Sequence, residues 1–274
     1  MTTAPPLLKD LLAVLAEIAA PALAESWDNV GLMVGDPALE ISGVLVALDA
    51  SEEVLDEAQR HGCNVVVTHH PLIFKPLQSV RTDQVTGRLL ARALAGGIAV
   101  ASCHTNLDKA PGGVNDALAA GLGLRDCRVL VGSSDGDPGI GFGRIGKISG
   151  GAPFSEFIGK VLTVLDLEAV RVAGAAPATL STVAVCGGSG SELAAAAMAA
   201  GAQIYVTGEV KHSVARWAED AGFCIVDAGH FATEKIMISG LVGAIDKLCA
   251  AKGWALDIRA SGSEASPFRY YFRK

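Results

Sequence analysis

Aromatic side chains are scarce in this chain, at 5% of 274 residues. The apolar half of the composition is therefore largely Ala, Val, Leu and Ile, and the core must be aliphatic. Positive charge is also short, with 22 Lys and Arg against 29 Asp and Glu and a formal charge of −7. That balance argues against a general nucleic-acid-binding surface, which needs cations to neutralise phosphates, and leaves room for a small positive pocket. Paired cysteines are missing. Cys63, Cys103, Cys127, Cys186, Cys224 and Cys249 form no C-x-x-C pair and no dense framework. They are expected as buried free thiols in a reducing cytoplasm, and a structural zinc knuckle is disfavoured.

Long apolar runs are absent too. No segment has the ~20 uninterrupted apolar residues of a membrane-spanning helix. The nearest approach, Leu7 to Leu23, is interrupted by Asp10 and Glu17 and has no basic stretch before it. Leu8, Leu11, Leu12, Leu15 and Ile18 share one helical face, so an amphipathic helix packed on the domain is expected rather than a signal peptide.

What is present is a strand–helix grammar, with glycine common (32 residues) as many turns require. Gly43–Asp49, Asn64–Thr68 and Ile98–Ser102 read as strands. Glu52–His61 and Arg88–Ala95 read as helices. Short apolar runs between helical patterns favour a mostly parallel sheet with helices on its faces. Val44–Thr68 aligns with Val183–Thr207 without a gap, at a constant offset of 139 residues. Val44, Val46, Glu53, Ala58 and Gly62 meet Val183, Val185, Glu192, Ala197 and Gly201. Gly97–Asp108 resembles Gly222–Glu234, with one extra residue in the second copy. Each of these ends in a His followed four positions later by an acid: His104/Asp108 and His230/Glu234. Any two strand–helix–strand units share some pattern, so duplication is one of two open readings. The expected fold is α/β, with two related halves, mostly parallel sheets and ligands at strand ends between the halves. Residues 1–127 form the first half and 128–274 the second, whose last segment is expected to pack back on the first. Asp126–Pro177 is less regular. Its "VGSSDGDPGIGFG" reads as a linker or loop, and Phe154–Leu167 resumes a helical pattern.

His69 and His70 directly follow a strand. Neighbouring side chains on an extended segment point to opposite sides, so the two imidazoles reach one metal poorly but can reach two metals if the chain turns there. Pro71 holds His70 to an extended backbone. With Asp108, His230 and Glu234 they form a set of three imidazoles and two carboxylates, suited to zinc, manganese, iron, cobalt or nickel. Two divalent ions would carry more charge than these carboxylates supply, which favours hydroxide or an anionic substrate group. Metal binding lowers the pKa of water to ~7 in favourable zinc sites. Each residue also has an ordinary explanation. A His at a strand end is commonly a hydrogen-bonded structural residue, and Glu234 can stabilise the first turn of a helix. Spacing alone leaves both readings open.

The words around these residues are more specific. "SWDNVGLMVGDP" (Ser26–Pro37), "VVTHHPLIFKP" (Val66–Pro76), "CHTNLDKAPGGVNDALA" (Cys103–Ala119), "YVTGEVKH" (Tyr205–His212) and "GHFATE" (Gly229–Glu234) together resemble the NIF-three-like family. The same family is called YbgI, or GTP cyclohydrolase I type 2 homologues. The resemblance spans nearly the whole chain, with its motifs in order. It implies a dinuclear centre in which His69 and His230 hold one ion, His70 and Asp108 hold the other, and Glu234 bridges. It also implies a hexameric ring. Some family members carry an inserted domain between the halves, for which this chain is too short. His104 matches a family His outside the usual ligand set and is expected behind the ligands or as a proton shuttle, or else hydrogen-bonded to Asp108. Trp27, Asp28 and Asn29 are expected to line the pocket, and Lys75 to meet an anionic substrate or to stand exposed. Ser213 stands where many relatives have a second His, so His212 is left out of the ligands. The "GGSG" of Gly187–Gly190 is read as a strand–helix turn.

Two functions follow as expectations. The first is a metal-dependent hydrolase acting on a cyclohydrolase-like or phosphoester substrate, with Glu234 and His104 in the reaction. The second is a non-catalytic metal-handling or scaffold protein.

Overall fold

Runs such as "VLVA", "VVVT", "IYVT" and "CIVD" have no polar alternation, and a strand of that kind is stable only with both faces covered. The computed structural model, which describes residues 5–133, 136–271 and 273, resolves this with two separate sheets in two compact units. Met1–Leu107 and Ile238–Ala265 form the first unit, and Asp108–Met237 with Ser266–Lys274 the second.

Along the first unit run α1 (Leu8–Ile18), β1 (Gly31–Val34), β2 (Val44–Ala47), α2 (Glu52–Arg60), β3 (Val65–Thr68), α3 (Val85–Ala95), β4 (Ala99–Ser102) and α4 (Thr105–Lys109), the last crossing the boundary. The second unit adds α5 (Val114–Gly121), β5 (Arg125–Gly132), β6 (Gly141–Pro153), α6 (Phe154–Val164), β7 (Arg171–Ala173), β8 (Thr179–Cys186), α7 (Ala194–Ala199), β9 (Ile204–Thr207), α8 (His212–Ala221), β10 (Cys224–Asp227) and α9 (His230–Lys235). The chain then returns to the first unit as α10 (Ile238–Ala251) and β11 (Ile258–Ala260).

The first sheet has the order β1-β4-β3-β2-β11, in which only the β1–β4 pairing is antiparallel. Every residue of β2, β3 and β4 is buried. α1 buries Leu8, Leu11, Val14 and Leu15 and packs against α10, as its one-sided pattern requires. α2 starts at Ser51, whose hydroxyl accepts from the Val54 amide, with Glu52 and Glu53 at the favourable end of the helix dipole.

The second sheet has the order β5-β6-β8-β9-β10-β7. β8, β9 and β10 form its parallel centre, and β5, β6 and β7 join antiparallel. The "VGSSDGDPGIGFG" stretch is largely the expected loop, since its described residues between Gly132 and Gly141 lie in no strand. The less regular pattern on either side of it is instead an 8-residue strand and a 13-residue strand. The glycines of β6 allow close packing. A Cβ on Gly146 would lie 2.6 Å from the Cys127 sulfur. Buried Arg144 pairs with Asp116 through two hydrogen bonds of 2.6 and 2.9 Å and fastens β6 to α5. Of the turn-rich motif, Ser134 and Asp135 lie outside the described residues.

The two parallel centres carry the repeat in their registers. Val44 pairs with Val65 in one sheet, and Val183 with Ile204 in the other. Both pairs are related by the 139-residue offset. Val65 pairs with Ala99, and Ile204 with Cys224, which fit the Gly97/Gly222 alignment. Among the described residues, no helix is long and apolar enough to cross a membrane.

Glu57 of α2 is the main polar tie to the segment after β11. Its carboxylate accepts from the Ser261 and Ser263 hydroxyls at 2.6 and 2.7 Å and from the Gly262 amide at 2.9 Å. Burial alone would raise its pKa, but these donors hold it down from 4.5 to about 2. The carboxylate therefore contributes its full stability above pH 4.5 and loses it as the pH falls towards 2. Glu57→Gln is expected to destabilise the protein by about 1.5–3 kcal/mol near neutrality. In thermal unfolding of the two proteins, the gap between melting temperatures should hold from pH 7 to 5 and narrow below 4.5.

Candidate metal sites

Parallel strands in register deliver the residues that follow them to one edge. In the first unit Ala47, Thr68 and Ser102 pair across β2, β3 and β4. Asp49, His69, His70 and His104 all follow these positions. The ladder continues briefly, with the His69 amide on the Ala47 carbonyl and the His70 amide on Leu48. The Thr68 hydroxyl donates to the His70 carbonyl at 2.7 Å, closing a turn. That turn modifies the expectation of opposed side chains. The rings of His69 and His70 lie 5.0 Å apart at 49°. One ligand atom each from His69, His70 and His104 falls within a 4.8 Å group.

Each imidazole is oriented through Nδ1. His69 Nδ1 meets the Cys103 carbonyl at 2.9 Å, His70 Nδ1 meets Asp49 at 3.0 Å and His104 Nδ1 meets Asp28 at 2.8 Å. An oxygen acceptor at Nδ1 selects the tautomer with the proton there, which leaves the lone pair at Nε2 for a cation or a proton. Burial lowers the His104 pKa against the pull of Asp28, so the ring is neutral at neutral pH. Asp28 itself is held below the ordinary carboxylate range. Burial opposes this, and hydrogen bonds from Thr105 and His104 outweigh it. The described contacts set His104 beside His69 and His70, with Asp28 at its Nδ1. The acid that orients it lies 76 residues earlier in the chain, a separation that no local spacing exposes.

The second unit repeats the geometry with different residues. Cys186, Thr207 and Asp227 pair across β8, β9 and β10. After them come Gly187–Gly188, Gly208–Glu209 and His230. Gly229, at φ +79°, turns the chain into α9. His230 and Glu234 then share a helix face, with Nε2 3.1 Å from Oε2. His230 Nδ1 lies 3.1 Å from Glu209 Oε1, and the other oxygen of Glu209 accepts from the Ser189 hydroxyl. Glu234 is buried and sits in the last turn of α9, so stabilisation of a helix start does not explain it. Asp108 is placed through its backbone: Asn115 donates to its carbonyl at 2.9 Å and accepts from the Gly187 amide at 3.0 Å.

Gly187–Gly190 is a strand–helix turn, as expected, and it also makes room. A Cβ on Gly188 would lie 2.2 Å from Glu234 Oε1. Lys75 and His212 are exposed. Five of the six cysteines are buried and all are free thiols. Burial pushes Cys103 and Cys186 up to about 12, far from the thiolate a metal would need.

The donor sets fit divalent cations. They combine imidazole nitrogens of a fixed tautomer with buried carboxylate oxygens, and such imidazole–carboxylate sets suit zinc and its neighbours. A ligand–ligand separation of 3.1 Å for His230 and Glu234 matches two donors each about 2.0–2.2 Å from one ion.

An α/β chain of two units, each gathering His and acidic residues at the carboxyl ends of parallel strands, is the class that fold and site define. Residues 6–267 match the Duf34/NIF3 (NGG1p interacting factor 3) family, and the chain belongs to it. The GTP cyclohydrolase 1 type 2 homolog of Clostridium acetobutylicum is 30% identical over 267 residues, covering 96% of this chain and 98% of the relative. The Bacillus subtilis protein of the same name is 27% identical over 366 residues, covering 96% of this chain and 98% of the relative. That alignment is longer than this chain, so the relative carries residues absent here. The crystal structure of a Bacillus cereus protein related to NIF3 superimposes with a TM-score of 0.92 at 26% identity, covering 98% of this chain and all of the other.

Gly188 and Gly201 provide a matched test of the cradle. Both have positive φ, but a Cβ on Gly201 meets nothing within 4 Å. In metal-free protein, Gly188→Ala and Gly201→Ala should each cost about 1–2 kcal/mol, the strain of a left-handed backbone. Only Gly188→Ala should also lose zinc uptake, read by calorimetric titration, because it displaces Glu234. Equal uptake in the two variants rules out the cradle.

Proposed function

We propose that this protein binds two divalent metal ions and is a metal-dependent hydrolase. The observation that carries the reading is the orientation of four histidines, His69, His70, His104 and His230, each held at Nδ1 by an oxygen acceptor. Orientation of that kind tunes imidazoles for Nε2 chemistry, and an ordinary structural role does not call for it four times over.

In the proposed arrangement His69 and His230 hold one ion and His70 and Asp108 the other, with Glu234 shared. The assignment follows the family resemblance. Bound ions of this type polarise a substrate oxygen and lower the pKa of water to about 7. The chain's own residues do the rest. Asp49 and Glu209 keep His70 and His230 in their ligating tautomers. Neutral His104 takes or returns a proton at Nε2, while Asp28 balances the charge at Nδ1. Asp108 and Glu234 would be the carboxylates that touch the ions, with Asp28, Asp49 and Glu209 one imidazole further out; an anionic small molecule fits as substrate where it can itself ligate the ions. The names of relatives suggest a cyclohydrolase reaction on a nucleotide, and phosphoester hydrolysis needs the same donor set. The family resemblance also supports assembly as a hexameric ring, and six free thiols support a reducing, cytoplasmic location.

Metal analysis of protein purified without added metals tests the central claim, followed by hydrolysis assays on nucleotides and phosphoesters. Two divalent ions per chain are expected in the wild type. Glu234→Gln should keep the fold by circular dichroism, lose at least one ion and lose turnover. A content far below two per chain that added metal does not restore overturns the dinuclear reading. Full metal content with ready release to a chelator and no turnover on any substrate replaces the hydrolase with a metal-handling protein.

A further inference from the structure

Two rings of the first unit are left over from these roles. Trp27 is 58% exposed and Phe74 44% exposed, in a chain that has few aromatic residues. Their centroids lie 6.0 Å apart at 67°, edge to face. Both also meet His104 edge-on, at 6.4 and 6.1 Å. They therefore sit directly beside the imidazole cluster with much of their surface in water.

Neither ring is exposed through a loose backbone. Trp27 precedes Asp28, whose carboxylate accepts from the Thr105 amide at 3.0 Å and the Thr105 hydroxyl at 2.5 Å and also braces His104. Phe74 follows Ile73, whose carbonyl accepts from the Asn29 side chain at 2.6 Å and whose amide donates to the Met33 sulfur at 3.4 Å. Asn29 thus ties the Trp27 loop to the Phe74 loop. The bonds that orient His104 also fix Trp27. An apolar patch held rigid in water beside a reactive cluster marks a binding surface, and one made of aromatic rings offers π faces to a flat partner. Lys75, exposed and next in the chain after Phe74, adds a positive charge to this loop.

We infer that Trp27 and Phe74 are substrate-binding residues that hold the planar ring of a heteroaromatic, negatively charged small molecule beside His104, one ring stacking on it and the other meeting it edge-on. Placement of the reacting bond next to the imidazoles rests on the hydrolase reading; the stacking itself does not. Aromatic stacking tolerates many rings because each presents a π face. The platform therefore sets the class of substrate, flat and heteroaromatic, and leaves the choice of ring to other contacts.

The test uses ATP, UTP and inorganic triphosphate as probes on the full chain, by calorimetry and by tryptophan fluorescence. It is run on protein as purified and after chelator treatment. Both nucleotides are expected to quench fluorescence and to bind more tightly than triphosphate. Trp27→Ala and Phe74→Ala should each weaken nucleotide binding about five- to one-hundred-fold, with triphosphate binding unchanged. Trp27→Phe should retain most of the affinity, and Trp217→Phe all of it. Metal content, measured on every variant, should stay at the wild-type level. Nucleotide affinity no better than that of triphosphate, or equal in wild type and both alanine variants, overturns the platform. So does an equal loss for nucleotide and triphosphate, which would reflect general damage. Stacking in protein whose metal content as purified is far below two per chain and is not restored by added metal keeps the platform and removes the hydrolase, so the two failures are distinguishable.

Discussion

Three parallel strands in register, buried on both faces, govern the chemistry available to each unit. Inside such a sheet a titratable side chain would lose its hydration without gaining a partner, so the strands are aliphatic. Polar chemistry gathers at the last residues of the strands and just beyond them, with the Tyr205 hydroxyl, which donates to the Gly190 carbonyl, as a paired exception. Because β2, β3 and β4 end in register, Asp49, His69–His70 and His104 emerge together. The same holds for Gly188, Glu209 and His230 beyond β8, β9 and β10. Bringing these groups together needs no long loop and little extra conformational entropy, because the hydrogen-bonded ladder already fixes their starting points.

That constraint explains what could be read directly from the chain. The 139-residue offset is a statement about register, and Val44–Val65 and Val183–Ile204 reproduce it as backbone pairings. Burial on both faces makes a strand's composition almost its whole specification, so "VVVT" and "CIVD" were legible. The pairing of Asp28 with His104 was not, since it joins residues 76 apart through a loop whose conformation depends on Thr105 and Asn29. Strand β6 was also illegible, for a different reason. β6 is rich in glycine because neighbouring chains approach closely, and Gly146 against Cys127 resembles a loop glycine in every local respect. Its strand character comes from the partners β5 and β8, not from its own pattern. The helix starting at Leu8 was placed from its apolar stripe, yet Val14 rather than Leu12 completes the buried face. Small rotations of that kind follow from packing against α10.

Glu57 and Arg144 show how the remaining buried charges are kept. Each is surrounded by partners that match its full hydrogen-bonding capacity: hydroxyls and an amide for the carboxylate, a carboxylate and carbonyls for the guanidinium. Both join a helix to a segment distant in sequence. Such residues fix relative placement within a unit, while the aliphatic core supplies most of the driving force. Rigid placement matters most where oriented side chains must keep their geometry without a ligand to hold them.

The two copies diverge at the positions where their chemistry is decided. At the 139-residue offset Asp49 becomes Gly188, His69 becomes Gly208 and His70 becomes Glu209. In the first copy the acid after β2 orients the imidazole after β3. In the second copy the pairing is reversed: the acid follows β9, and the imidazole, His230, follows β10. The position after β8 then has no orienting role, and its glycine leaves the space that Glu234 fills from α9. The imidazole–carboxylate contact survives in both units although the elements supplying its partners differ. What the two units share is thus the sheet edge, and what differs is which strand contributes the base. The first unit ends with three imidazoles clustered, and the second with one imidazole between two carboxylates. A symmetric pair would have presented two similar donor sets. Divergence at three strand-end residues gives a nitrogen-rich set and an oxygen-rich set on the same scaffold.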